Sequence, residues 1–226
     1  MLKELFNIKL QQDMTSYFLN ELSQKGRVVG YKKDTIVQTS SDCIYIVIEG
    51  MVSEEIFSED GKQTTLFLLG PGTIFGEMSF FQKYEKTCSV DISMYHNTKV
   101  SVIERNVLNS EIVDNPKIYH YLMHSIIRKY NIIMLKVADN YFNDFKGKLA
   151  STLIRFAIVE EGDIFDGAII RNVKSITMFA KYLSCDRSTV SKGLSDFQDA
   201  GLIKLYKDKI VIENKDLLTK YVNFIW

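Results

Sequence analysis

Cysteine, proline, tryptophan and histidine are all scarce in this 226-residue chain, with 3, 2, 1 and 3 copies. Cys43, Cys88 and Cys185 lie far apart and form no Cys-x-x-Cys, so neither a disulfide framework nor a cysteine-based metal knuckle is encoded. That usage fits a reducing compartment, and the chain is expected to be cytoplasmic. Two prolines and 12 glycines leave no linker-like or low-complexity stretch. No apolar run approaches the ~20 residues a membrane helix requires. The densest run, Ile44 to Ile48, has the length of a strand. The opening MLKELFNIKLQQDM scatters charges among its apolar residues, which excludes the uninterrupted apolar centre of a secretory signal. Net charge is absent too: 28 basic residues balance 28 acidic ones, so the whole surface is no polyanion-binding coat.

What is present is ordinary for a globular protein, 46% hydrophobic and 25% charged residues, in a length that suits one or two domains. The charge is unevenly placed. Residues 1–146 hold 16 Lys/Arg and 18 Asp/Glu (net −2), leaving 12 and 10 (net +2) for 147–226. Within 174–192, Lys174, Lys181, Arg187 and Lys192 face only Asp186. Such a local basic face attracts phosphate, although a solvated helix surface has the same composition.

Apolar Leu2, Leu5, Phe6 and Leu10 predict a helix within 1–26. From Arg27 to about Glu104 the pattern turns to short runs rich in Val, Ile, Thr and aromatics (VVGY, CIYIVIEG, MVSEEIF, QTTLFLL, CSVDI, KVSVI). Glu59-Asp60-Gly61-Lys62, Gly70-Pro71-Gly72 and His96-Asn97 punctuate them, which predicts a small β jelly-roll barrel. Asn115-Pro116 then opens a long helix. On it Tyr119, Met123, Ile126, Tyr130, Ile133, Val137 and Asn140 recur in steps of four and three. Such a seam predicts pairing with a second copy in a parallel coiled coil, while Ile118, Leu122, Ile132 and Leu135 can pack on the barrel. Asp144 can cap the following helix through the backbone N–H groups three residues on. The expected division is therefore a jelly-roll sensor over 1–114, a dimerisation helix over 115–143, and a winged helix-turn-helix over 144–226. The last contains helices at 148–161, 176–183 and 187–200 and a hairpin turning at Lys207-Asp208-Lys209. The fold class is α+β.

Chemistry is densest in Ser175–Ile203, SITMFAKYLSCDRSTVSKGLSDFQDAGLI. Ser175 can cap a first helix, Ser184-Cys185 makes a turn, and Val190, Leu194 and Phe197 hold a second helix inward. Arg187, Ser188, Thr189, Ser191 and Lys192 are thereby sent outward from its first turns. Arginine can donate two hydrogen bonds to guanine, and hydroxyls and lysine can hold phosphate, so the set suits the major groove of double-stranded DNA. A purely structural three-helix module is the alternative.

In this order the features resemble the Crp/Fnr superfamily of bacterial transcription regulators. The carriers are Ile44–Gly50 (IYIVIEG), Glu59–Lys62, Gly76-Glu77, Asn115-Pro116, Asp144 with Gly147-Lys148, and the Leu183–Lys192 block. The resemblance covers nearly the whole chain. It implies a homodimer on a two-fold symmetric (palindromic) operator, with Arg187 as main base reader and Ser188 as second. Thr189, Ser191, Lys192 and Ser175 would then sit at phosphates. It also places the acidic loop Glu160–Gly167 where activators of the family touch RNA polymerase, although a solvated turn has the same composition.

The sensed signal departs from the family's cyclic-nucleotide pattern. The cassette runs Gly76, Glu77, Met78, Ser79, Phe80 to Lys86, Thr87 and Cys88, with Lys86 where the family's phosphate-binding arginine is expected and one residue missing. Lysine lacks the bidentate fork of arginine. The hydroxyl residues that receive the adenine in such members align with Ile133 and Met134. An apolar ligand floored by Ile133, Met134, Met78 and Phe80, or no ligand, is expected in place of cyclic AMP; a cyclic-nucleotide-responsive regulator of the same fold is the alternative. No cofactor and no metal are expected. Residues 1–42 lack the cysteines of an iron–sulfur sensor, and His120 and His124, one helical turn apart, have no acidic or thiol neighbour to complete a zinc site. Cys43 and Cys88 are either packing residues or oxidant-sensing thiols. Glu77 with Glu85 or Asp91 reads as turn and surface charges. A cupin-like barrel enzyme would need histidines in its strands, and none is there.

Overall fold

The computed structural model describes residues 7–81, 90–171 and 175–223, so Leu2, Leu5, Phe6, Glu85, Lys86, Thr87, Cys88 and Lys174 lie outside the described residues. Two compact units divide the described chain, Asn7–Tyr130 and Asn131 onward, and the division falls inside the long helix.

In the first unit, α1 (Ile8–Asn20) starts where the Asn7 side chain accepts a hydrogen bond from the Leu10 N–H and is followed by a 3-10 turn, Leu22–Lys25. Eight strands follow: β1 (Arg27–Tyr31), β2 (Ile36–Val37), β3 (Cys43–Glu49), β4 (Val52–Phe57), β5 (Gln63–Leu69), β6 (Ile74–Phe75), β7 (Val90–Met94) and β8 (Thr98–Glu104). They form two antiparallel four-stranded sheets, ordered β1-β8-β3-β6 and β2-β7-β4-β5, the two-sheet closure a jelly roll requires. Ile44, Ile46, Ile74 and Ile103 from the strands meet Met14, Phe18 and Leu22 in one buried core. At Gly76 the chain turns from β6 into α2 (Glu77–Phe81) with φ +84°, and a Cβ there would meet the Tyr45 ring at 2.8 Å, so only glycine fits.

A helix absent from the sequence reading, α3 (Arg105–Asp114), follows β8 and buries Leu108 and Ile112 in the same core. Its two inward residues, in a segment also holding Val107 and Val113, leave too weak a periodicity to read. Then α4 (Lys117–Phe142) begins where expected, with the Asn115 side chain accepting from the Lys117 N–H. One stripe of α4 turns inward in steps of four and three: Ile118, Leu122, Ser125, Lys129, Ile132, Lys136 and Asp139. The adjacent stripe, Tyr119, Met123, Tyr130, Ile133, Val137 and Asn140, is exposed, while Ile126 is half-buried.

In the second unit, Asp144 accepts from the Gly147 N–H at 2.8 Å and opens α5 (Phe145–Glu161), three residues earlier than read from the sequence. There follow β9 (Ile169–Ile170), α6 (Ile176–Leu183), α7 (Arg187–Asp199), β10 (Ile203–Leu205), β11 (Ile210–Ile212) and α8 (Lys215–Thr219). The hairpin turns at Lys207–Lys209 as predicted, and β9 adds a third strand in the order β10-β11-β9. Strand β9 and helix α8 are too short to carry a readable period. Leu149, Leu153, Phe179, Val190, Leu194, Phe197 and Ile212 form this unit's core.

Candidate nucleic-acid interface and sensor site

Helices α6 and α7 are joined by a tight turn. Ser175 accepts from the Met178 N–H to start α6, and Ser184 ends it in the left-handed region at φ 53°. Gly193 brings α7 close against α5, since a Cβ there would meet the Phe145 ring at 2.6 Å. Val190, Leu194 and Phe197 point into the core. By helical geometry the opposite face points outward, and Arg187, Ser188, Thr189, Ser191 and Lys192 are all exposed. Ser175 is half-buried, and its hydroxyl oxygen accepts the cap hydrogen bond. Beyond α7, the hairpin carries Lys204 and Lys209 with their ammonium groups 5.6 and 5.0 Å from the centroid of the Tyr206 ring. A cationic, hydroxyl-bearing helix start beside a basic two-stranded ribbon is shaped for a groove and its flanking phosphates.

The family model of the cyclic nucleotide-binding domain matches residues 31–115, and that of the Crp-like helix-turn-helix domain matches residues 147–221. The chain belongs to the Crp/Fnr superfamily. This Crp/Fnr protein is therefore a DNA-binding transcription regulator and not an enzyme. A CRP-like cAMP-activated global transcriptional regulator of Mycobacterium tuberculosis is 28% identical over 181 residues, 79% of each chain. The anaerobic regulatory protein of Bacillus subtilis is 27% identical over 176 residues, 77% of this chain and 74% of the relative. Among solved structures, a CooA mutant from Carboxydothermus hydrogenoformans superposes with a TM-score of 0.73 at 19% identity, covering 88% of this chain and 89% of the other. FixK2 from Bradyrhizobium japonicum does so at 0.69 and 17% identity, covering 89% and 99%.

In the regulator's barrel the described cassette residues Met78 and Phe80 have different surroundings. Two positions apart on α2, Met78 is exposed and Phe80 is buried in the core, so they do not line one surface. Phe80 instead carries the Arg105 guanidinium 3.9 Å above its ring, and Arg105 donates to the carbonyls of Phe80 and Ser41. Ile133 and Met134 are exposed and belong to the second unit. Glu77 is no surface charge. It is 2% exposed and sits 2.6 Å from Nζ of Lys129, which also reaches Glu54 at 2.8 Å. Asp91 is paired in register with Glu55 on β4. Burial opposes the Lys129 charge, but Glu54 and Glu77 outweigh it and hold the ammonium above the ordinary lysine pKa.

The sequence reading missed Glu54 and Lys129. A signal existed: both charges fall at positions whose neighbours in the pattern, Val52 on β4 and Leu122 and Ile132 on α4, are apolar. Among the described residues, no group of histidine, cysteine and carboxylate side chains could hold a metal ion. His124 Nε2 lies 3.2 Å from the Gln11 side-chain oxygen, and His120 is exposed. Burial, with Glu104 and Asp42 beside it, pushes the Cys43 thiol up and so keeps it protonated at neutral pH. In the acidic segment Glu160–Gly167, Glu161 pairs with Arg171 at 2.5 Å and Glu160 accepts from the Arg171 N–H, so these two carboxylates are structural partners of the β9 end. No described helix is long and apolar enough to cross a membrane.

Proposed function

We propose that the regulator acts as a homodimer paired along α4, with the two α7 helices in successive major grooves of a palindromic operator. The supporting observation is the exposed seam itself. Tyr119 and Tyr130 are 59% and 60% exposed, and Met123, Ile133 and Val137 continue the same stripe in steps of four and three. A helix exposing that much apolar surface at heptad spacing is stabilised by a second helix, and an identical one satisfies the register automatically. Two-fold pairing sets the α7 helices about 34 Å apart, one turn of DNA. Arg187 reads bases, Ser188 adds a second contact, and Thr189, Ser191, Lys192 and Ser175 hold phosphates. In this reading the chain divides functionally into sensor (1–114), dimerisation helix (115–143) and DNA-binding domain (144–226).

The signal enters where the barrel meets α4 and is not cyclic AMP, although relatives are named for activation by it. This part of the proposal is supported by Ile133 and Met134, which carry no group to hydrogen-bond a base, and by Lys86 in place of a bidentate arginine. Selection of duplexes from a random pool by the purified chain, followed by sedimentation of the complex, tests the whole reading. A symmetric sequence bound by two copies is the expected result, and binding by a single copy overturns it.

A further inference from the structure

Helices α4 and α5 are joined by Asn143 and Asp144 alone. Each keeps two soft backbone dihedrals, so an untied joint of that length would let α5 swing on the end of α4. Asp144 is committed to α5, where it accepts the Gly147 N–H. Asn143 is tied in three directions. Its backbone N–H extends the α4 ladder to the Asp139 carbonyl at 3.1 Å, and its side-chain NH2 donates to Asp139 Oδ1 at 2.9 Å. Its side-chain oxygen accepts the backbone N–H of Asn223 at 2.8 Å. The other carboxylate oxygen of Asp139 accepts from Arg155 of α5, so the network spans both helices. Asn143 is buried, and losing a partner there is not made good by water.

The Asn223 donor belongs to the segment that follows α8, and that segment touches α7 as well as the joint. The Tyr221 ring stands 5.0 Å from the ring of Phe197, an α7 residue wholly buried in the core. The Tyr221 carbonyl lies against the first turn of α5: a Cβ on Gly147 would meet it at 2.7 Å and Asn143 Cβ at 2.9 Å. A backbone carbonyl and the stem of a side chain cannot swing aside, so this approach requires glycine. The Asn223 side chain donates to the Phe142 carbonyl at 3.4 Å, one of the last carbonyls of α4, which have no partner within their own helix. Residues 221–223 thus bridge the buried side of α7 to the end of α4.

We infer that Asn143 and Asn223 are positioning residues: by holding the segment 221–223 across the α4–α5 joint, they fix the direction of α7 relative to the end of α4, and with it the half-site spacing the regulator accepts. The inference rests on the reading of the chain as a dimer on a two-fold operator and specifies how that operator's geometry is read. One base pair added at the operator's centre moves a half-site by about 3.4 Å and rotates it by about a tenth of a turn. A tied joint cannot follow that displacement. An untied joint can, but it must then be ordered at the moment of binding.

The test uses the full chain and the duplex it selects from a random pool, remade with an extra base pair at its centre. The wild type should bind the lengthened duplex at least about tenfold more weakly, since the DNA and not the protein must then deform. Asn143→Leu keeps the volume of the side chain and removes both of its bonds. It should bind the original duplex about tenfold more weakly, the cost of ordering a residue on binding, and the lengthened one nearly as well as the original. Asn223→Pro, which removes the N–H donor, should do the same. Both variants should keep the wild-type salt slope on random duplex, a readout that general unfolding would not spare. A further measurement needs no variant. The Asn223 residue is exposed, yet its amide should exchange at least about tenfold more slowly than in unstructured chain. Folded variants that keep the wild-type spacing penalty, or a wild type that tolerates the inserted pair, overturn this inference and leave the DNA-binding reading intact. So does an Asn223 amide that exchanges freely, a result that stands even where neither variant folds. A chain that binds no duplex, or binds one as a single copy, overturns the reading on which the inference rests.

Discussion

Lys136 on α4 holds its ammonium 3.8 Å from the centroid of the Tyr182 ring on α6, so one side chain ties the long helix to the helix-turn-helix. Burial, and after it the Arg155 guanidinium, push its pKa down to about 7, with Asp139 opposing them. Stability should therefore vary with pH in a definite direction. Below pH 7 the group is charged in both folded and unfolded chains, and the folded chain carries the whole cost of burying the charge. Between about 7 and the ordinary lysine value of 10.5 only the folded chain has given up the proton, so stability rises across that window. Contact with the Tyr182 face offsets part of the low-pH cost. Thermal unfolding of Lys136→Met should show a flatter profile between pH 7 and 10, with a melting temperature a few degrees above the wild type at pH 6.

Next to it, Arg155 donates to Asp139 at 2.5 Å, to Ser151 at 2.9 Å and to Thr152 at 3.0 Å, while Asp139 also accepts from Asn143. Both members of the pair are about 5% exposed, so water cannot replace a lost partner. Arg155→Met should cost about 3–5 kcal/mol by taking the guanidinium from the buried Asp139 carboxylate. The double variant Asp139→Leu with Arg155→Met should recover most of that loss. Urea denaturation of the four proteins measures the coupling, and additive costs would show that the pair is not the unit of stability.

The DNA contacts separate into two kinds. Arg187→Ala should weaken the selected duplex by about 1–3 kcal/mol and relax the preference at one base position. Lys192→Ala should weaken all duplexes alike and reduce the slope of log affinity against log salt by about one. Fluorescence anisotropy across a salt series distinguishes them. An Arg187→Ala protein with unchanged sequence preference would move the base-reading role elsewhere on α7.

For the seam, an aspartate at Tyr130 or Ile133 places a charge where the pairing helix must bury its apolar face. Tyr130→Asp and Ile133→Asp should sediment as monomers and lose operator affinity, while keeping a folded far-ultraviolet spectrum. A dimer that survives both substitutions would be held by another surface.

The helix-turn-helix was legible because each of its decisions is local. Ser175 caps within three residues, Ser184 closes α6, Val190, Leu194 and Phe197 repeat at helical spacing, and the hairpin turn carries its own Lys-Asp-Lys. The exposed apolar stripe on α4 was legible for the same reason. By contrast α3, β9 and α8 are stabilised by what they touch, and Leu108 and Ile112 alone announce no helix in the absence of the core that buries them.

Periodicity and capping, which act over a few residues, determined the run of short strands, the long helix and the outward face of α7. The fate of the charges was decided only when the barrel closed. Lys129 and Glu54 lie 75 positions apart, and nothing near either announces that a β4 carboxylate and an α4 ammonium will share one dry site. Chain neighbours set backbone conformation over a turn or a strand. Counter-ion choice in an interior of low dielectric depends on which distant segments exclude water together, a property of the packed molecule alone.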